Sequence, residues 1–238
     1  MLIKIKREWE LPESAATPES VYWNRRHFLR GLAAGPALLG GAALAAGKAF
    51  AADEVDPSAA LYPVPRNTAY EGGRPLTDEE AATTYNNFYE FGSHKQISKV
   101  AQNLKIRPWT VTIDGAVDKP MSLAIDDLLA KMPLEERVYR HRCVEAWAMT
   151  VPWTGFQLSH LIDLAQPRSD AKYVTMQTFL DKEIAPGQRQ HWYPWPYVEG
   201  LTMAEAQHEL SFIATGIYGR PMPKQNGAPL RLAVPWKY

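Results

Sequence analysis

The sequence predicts a domain in which short β-strands and short helices are mixed, set behind an N-terminal leader. Three observations carry this. From Trp109 to Val117 apolar and polar residues alternate until Asp114-Gly115, a turn dipeptide, so the stretch reads as a strand entering a hairpin. Phe156, Leu161, Ile162 and Leu164 fall near helical spacing, so residues from about 157 to 165 read as an amphipathic helix. Residues 1–51 instead join paired arginines to a weakly apolar run.

That leader has the parts of an export signal. Asn24-Arg25-Arg26-His27-Phe28-Leu29-Arg30 is basic, Gly31 to Ala46 is an Ala/Gly/Leu run, and Ala49-Phe50-Ala51 offers a small-residue cleavage site. The arginine pair followed by Phe-Leu looks like a twin-arginine signal and predicts a periplasmic destination. A membrane span needs about 20 strongly apolar residues, whereas this run is mainly Ala and Gly and contains Pro36. Gly47-Lys48 is not a phosphate loop, because Ala42 stands for the first glycine and Ala49 for the hydroxyl residue.

The chain has 238 residues and 26 each of basic and acidic side chains, so no net field argues for nucleic acid. Residues 1–51 hold seven Lys/Arg and four Glu, which leaves 19 basic and 22 acidic residues and a mildly acidic mature portion.

Residues 52–78, with Pro57, Pro63, Pro65 and Pro75, read as an extended lead-in packed along the surface. Glu79 to Thr84 reads as a short helical turn. It enters Tyr85-Asn86-Asn87-Phe88-Tyr89-Glu90-Phe91-Gly92, where aromatics alternate with hydrogen-bonding groups. Such a loop either closes over a ligand or docks its rings on the core. Asp126 is placed just ahead of a helix over 127–132, with Lys131 late and Pro133 beyond. Arg137 to Val144 reads as a strand that delivers Cys143 at its end, and Tyr173 to Thr178 reads as another strand.

Residues 181–200 read as a long loop whose Trp192, Tyr193, Trp195 and Tyr197 either line a mouth or pack over the core. Thr202-Met203-Ala204-Glu205 fits a capping box and predicts a helix to about Leu210. Leu210 to Tyr218 is strand-like. Gln225 to Pro229 turns the chain into Leu230–Val234, where Arg231 and Ala233 face one way and the apolar residues the other. An arginine so placed is either solvated or anion-binding.

Cys143 is the only cysteine, and Arg140, Arg142 and Glu145 flank it. Neighbouring cations favour the thiolate, which attacks electrophiles or binds metals; the alternative is a small buried hydrophobe. A lone cysteine makes neither an internal disulfide nor a structural zinc site. The sequence contains no His-Glu-x-x-His pair and no glycine-rich dinucleotide fingerprint after a strand. What remains is a site built from dispersed residues.

Four stretches together resemble the molybdopterin-dependent oxidoreductases of the sulfite oxidase fold. They are Tyr85 to Gly92, Arg140-His141-Arg142-Cys143-Val144-Glu145-Ala146-Trp147, Tyr197-Val198-Glu199-Gly200-Leu201, and Gly219 to Tyr238 with its Gln225-Asn226-Gly227-Ala228-Pro229-Leu230-Arg231. The first two, behind a twin-arginine leader, are similar to the branch that reduces methionine sulfoxide in proteins. The resemblance covers nearly the whole chain. It implies an α+β fold over 79–238 and a molybdenum–molybdopterin cofactor with Cys143 as the thiolate ligand of the metal. Asn86, Tyr89, Glu90, Thr178, Asn226 and Arg231 match cofactor contacts, and a guanidinium at 231 suits a terminal phosphate.

By the same resemblance, the activity is oxygen-atom transfer from methionine sulfoxide on oxidised periplasmic proteins. Electrons come from the quinone pool through a haem-containing membrane subunit, and the twin-arginine machinery exports the chain. Sulfite oxidation, with Arg140 and Arg142 around the metal, is the alternative within the fold, and a cofactor-free binding module the alternative outside it. Family members continue past the Pro235-Trp236-Lys237-Tyr238 motif with a Gly- and Lys-containing cofactor loop and a further β-rich region, which implies a fragment or a C-terminal truncation here. Lys224 stands where relatives often carry proline.

Overall fold

The computed structural model describes residues 56–143 and 145–235; the leader reading for residues 1–51 lies outside them. The described chain runs α1 (Glu79–Thr84), α2 (Ser98–Ala101), β1 (Thr110–Ile113), β2 (Met121–Ala124), α3 (Ile125–Lys131), β3 (Glu135–Arg142) and β4 (Ala148–Gln157). It continues through α4 (Leu158–Ala165), β5 (Tyr173–Gln177), β6 (Val198–Thr202), α5 (Met203–Ala206), β7 (Phe212–Ile217), β8 (Arg220–Pro221) and β9 (Arg231–Ala233). The fold class is α+β, as the sequence predicts.

Strand β4 organises the molecule, and periodicity does not reveal it. It pairs antiparallel with β3 on one side and β7 on the other; β7 in turn pairs with β8 and β9. Residues 150–156 are all buried because both faces of the sheet are covered. Val151 and Trp153 pack with Tyr139, Phe212 and Ile217 on one face. Phe156 packs with Leu128, Leu158, Ile162 and Ile213 on the other. A strand buried on both faces loses its apolar–polar alternation, and Pro152 and Gly155 further disguise this one. Gly155 lies at a register shift against β7, where an added Cβ would stand 2.0 Å from the Ile213 carbonyl oxygen.

The lead-in covers the outer edge of β3. Glu136 N–H donates to the Pro65 carbonyl, Asn67 N–H to the Glu136 carbonyl and Val138 N–H to the Tyr70 carbonyl. An unpaired strand edge invites association with other chains, and these bonds close it.

Three sequence expectations need correcting. The helix at Thr202 has its capping box, with Thr202 Oγ1 accepting from Glu205 N–H at 3.2 Å and Glu205 Oε2 accepting from Thr202 N–H at 2.8 Å. It nevertheless ends at Ala206 rather than Leu210. Ser211 Oγ donates to the Glu205 carbonyl at 2.5 Å and His208 Nδ1 accepts from Leu210 N–H, so side chains replace the next helical turn. Asp126 does not precede α3 but lies in its first turn, behind Ala124, which makes no side-chain cap. The long loop of 181–200 contains a single helical turn at Pro186–Arg189 and ends in β6, whose partner is β5. Gln188 holds that loop closed, accepting from Asp181 N–H and donating to the Phe179 carbonyl, both at 2.7 Å.

The least ordinary core residue is Arg137, whose side chain is 2% exposed. Its guanidinium carbon sits 3.9 Å from the Tyr70 ring centroid and 4.8 Å from that of Phe212. Its nitrogens donate to Glu135 Oε1 at 2.6 Å, Tyr139 Oη at 3.0 Å and the Glu209 carbonyl at 2.6 Å. Breaking a buried pair strands its partners. Arg137→Met should therefore lower the unfolding free energy by about 3 kcal/mol in urea titrations, more than an exposed-arginine control such as Arg140→Met.

Candidate active site

Cys143 stands at the turn between β3 and β4. Its N–H donates to the Trp147 carbonyl at 2.9 Å, and Ala146 N–H returns to the Cys143 carbonyl at 3.1 Å. Ala146 takes φ 65°, the left-handed conformation that closes so tight a turn. Cys143 is half-buried and unbridged. Strand alternation puts Arg137, Tyr139 and His141 on the face that leads to Cys143 and sends Arg140 and Arg142 to the other, where both are exposed. The cations that flank the thiol in sequence are thus both exposed, at positions of β3 that alternate with Tyr139 and His141.

His141 takes their place. Its Nε2 accepts from Trp153 Nε1–H at 2.7 Å, with the two rings nearly perpendicular at 5.6 Å. That bond leaves Nδ1 to carry the proton of the neutral ring. Burial, reinforced by the charge of Arg231, pushes the imidazole pKa down to about 4.

Arg231 lies on β9 with its guanidinium carbon 5.4 Å from the Trp153 ring, and Nη1 donates to the Asn226 carbonyl at 2.8 Å. The residue keeps a solvent-exposed side, yet desolvation lowers its pKa, opposed by the charge of Glu90. Trp153, Asn226 and Glu90 gather around the guanidinium as one side of a polar recess. Glu90 is buried, and desolvation raises its pKa against the pull of its own backbone N–H and of Arg231.

Asn86 and Asn226 complete the recess from different ends of the chain. Both are buried, and both side-chain amides donate to one acceptor, the Ala82 carbonyl, at 3.2 and 3.1 Å. The Oδ1 atom of each is buried without a hydrogen-bond partner among the described residues. An unmet buried acceptor costs about 1–3 kcal/mol. A pair of them suits a ligand that brings N–H donors, as a pterin ring does.

Tyr89 and Thr178 stand apart from this group. Tyr89 is 43% exposed and meets Trp192 edge to face at 6.1 Å. Thr178 is half-buried and its N–H donates to the Tyr197 carbonyl, while the adjacent Phe179 packs on Phe88 and Phe91. Between the 89–94 and 186–192 segments opens a cavity of about 340 Å³, lined by Tyr89, Phe91, His94, Gln190 and Trp192 among others.

Reasoning from sequence missed His141 and Trp153, although two-residue alternation before Cys143 points at the former. It also missed Gly187. The N–H of that glycine donates to the Glu90 carbonyl at 2.8 Å, and a Cβ there would stand 1.9 Å from the Tyr89 carbonyl oxygen.

Among the described residues no group of three or more His, Cys, Asp or Glu is placed to hold a metal ion. Residues 97–238 match the family described as the oxidoreductase molybdopterin binding domain. The chain belongs to that family. Its cofactor is molybdenum–molybdopterin, and the buried, unmet Asn86 and Asn226 acceptors near the Arg231 guanidinium suit such a group.

Two relatives are named protein-methionine-sulfoxide reductase catalytic subunit MsrP. The one from Xanthomonas axonopodis pv. citri is 48% identical over 96% of this chain and 70% of its own length. The one from Xanthomonas campestris pv. campestris is 46% identical over 95% and 69%. The sulfane dehydrogenase SoxCD of Paracoccus pantotrophus aligns at TM-score 0.46 and 17% identity over 83% of this chain, which spans 52% of that chain's length.

Two predictions follow from this geometry. Gly187→Ala should destabilise the protein by about 2 kcal/mol and quicken proteolysis within residues 85–95, read by limited digestion. In the metal-free chain, folded His141 stays neutral down to about pH 4, whereas an unfolded histidine protonates near 6.5. The unfolded state therefore binds the extra proton, and stability falls as pH drops from 6.5 toward 4. His141→Gln should flatten that part of a stability–pH curve measured by urea unfolding.

Proposed function

We propose that this protein reduces methionine sulfoxide in oxidised proteins at a molybdenum centre ligated by Cys143. The observation that carries the reading is the single half-buried thiol at a hairpin tip, next to a recess built from His141, Glu90, Arg231 and the unmet Asn86 and Asn226 acceptors. The relatives named as methionine sulfoxide reductases support the substrate.

In this reading Asn86 and Asn226 accept from the pterin, Glu90 and Thr178 add polar contacts, and Arg231 takes the terminal phosphate through paired charge-assisted bonds. Tyr89 contributes at the rim. The bound group supplies two-electron oxygen-atom transfer, a task suited to a metal with soft sulfur ligands. Sulfoxide plus two electrons and two protons gives thioether and water. His141, held neutral by burial and fixed through Trp153, adds no second positive charge beside the Arg231 guanidinium.

The cavity beside Tyr89 and Trp192 is the proposed mouth for a side chain presented by another protein. Trp192 is 60% exposed, whereas Trp195 is half-buried, so Trp192 is the aromatic that meets substrate. Methionine oxidation is a reversible lesion, and an export leader would bring the enzyme to envelope proteins that suffer it. Residues 1–51 form that leader, 52–78 the lead-in and 79–238 the cofactor domain. Electrons would arrive from the quinone pool through a haem-containing membrane subunit docking on the mildly acidic surface. Among the described residues no helix is long and apolar enough to cross a membrane.

Sulfite oxidation is less well supported, because both relatives are named for methionine sulfoxide reduction and Arg140 and Arg142 are exposed on β3. The deciding experiment is elemental analysis with assays of both substrates. A molybdenum-to-protein ratio near one that drops to about a tenth in Cys143→Ala, with turnover of a sulfoxide peptide, supports the proposal. Sulfite-dependent dye reduction in its place would overturn the substrate, and unchanged molybdenum in Cys143→Ala would overturn the ligand. Trp192→Ala should raise KM for a sulfoxide peptide roughly fivefold and leave molybdenum content intact.

A further inference from the structure

Lys95 lies outside the recess, yet it joins the two segments that form it. Its ammonium donates to Asn87 Oδ1, beside Asn86 in the 85–92 loop, and to Glu145 Oε1 at 2.7 Å, two residues beyond Cys143. The Lys95 side chain is 16% exposed and that of Glu145 37%, so the bridge lies at the surface with its cation partly covered. The Asn86 N–H donates to the Lys95 carbonyl at 3.4 Å, which folds the loop back on the lysine that clamps it.

The Cys143 side is tied down as well. Trp147 Nε1–H donates to Glu145 Oε2 at 3.1 Å, and the Trp147 ring meets Tyr85 edge to face at 6.2 Å. Bonds from Lys95 and Trp147 hold the Glu145 carboxyl below its ordinary pKa. The ends of both segments are fixed elsewhere, by the β3–β4 ladder on one side and by α1 on the other. The stretch between them, from Cys143 to Trp147, makes two backbone bonds across its own turn. Its orientation toward the 85–92 loop therefore depends on side chains: Lys95 bonds to both segments, Asn87 itself bonds to the Glu145 carboxyl, and Trp147 meets Tyr85.

We propose that Lys95 is a positioning residue that sets Cys143 against the cofactor-holding loop by bridging Asn87 and Glu145. The proposal rests on the reading of Cys143 as the metal ligand. Without the bridge the turn would lose a tether, Cys143 would present its thiol to the cofactor less uniformly, and part of the protein would lose the group. The bridge needs a cation with several donors, so Arg keeps the function and Met, of similar length, does not.

The test uses the full chain produced in cells that make the cofactor. In Lys95→Met the fraction of Cys143 open to alkylation by iodoacetamide should rise about threefold or more, and the molybdenum-to-protein ratio should fall in step. The metal-loaded fraction should show a broadened Mo(V) paramagnetic resonance spectrum. Lys95→Arg should restore all three, with melting temperatures of both variants near that of the parent. Parental thiol protection, metal content and spectrum in Lys95→Met would overturn the proposal. Low melting temperatures in both variants would also overturn it, by reducing the bridge to a structural contact. Cys143→Ala keeps Lys95, so metal retained in that variant defeats the ligand assignment, whereas loss there with a silent Lys95→Met defeats the bridge alone.

Discussion

A guanidinium buried between two aromatic rings fixes the strand on which the site depends. Arg137 lies six residues before Cys143 on β3, and its bonds reach the Glu209 carbonyl at the entrance to β7 while its faces meet Tyr70 and Phe212. One side chain thus ties together the lead-in, the edge strand and the centre of the sheet. With β3 held at that point, pleat alone directs Tyr139 and His141 inward and sets the thiol at the tip. Arginine suits this position because its planar, weakly hydrated cation stacks on rings while donating around its rim.

The recess follows a different rule: its polar groups are underpaired, as ligand sites are. Asn86 and Asn226 come from positions 140 residues apart and share one carbonyl, yet each leaves its oxygen unmet. Such groups are met by a bound ligand or by ordered water. Glu90 and Arg231 each sit in surroundings that penalise their charge and are relieved in part by one another. A neutral His141 keeps that balance from tipping further toward positive.

Much of this was legible in the sequence, and the failures have physical causes. Local signals gave α1, α4, β5 and the capping box because each depends on neighbours in the chain. Strand β4 escaped because burial on both faces erased its alternation, and the 181–200 loop hid β6 because its aromatic residues carry no period. The candidate site was read from resemblance to a family, and the structure gathers Glu90, Asn226 and Arg231 with Asn86 while leaving Tyr89 at the rim and Thr178 flanking the ring cluster of Phe179. Arg140 and Arg142 flank the thiol in sequence, and both are exposed at positions of β3 that alternate with Tyr139 and His141. The contacts that Lys95, His141 and Gly187 make are all between residues distant in sequence, where spacing carries no signal.

The shared Ala82 carbonyl makes the two asparagines a gauge. Because both amides hang from one atom, the gap between their oxygens is set by side-chain length and by the tilt of a six-residue helix, and it cannot adjust to one ligand edge without disturbing the other. A ring whose donors are spaced differently satisfies at most one of them. Discrimination among heterocycles would then come from a measured length and not from the strength of any single bond, and small shifts of α1 would alter both contacts together.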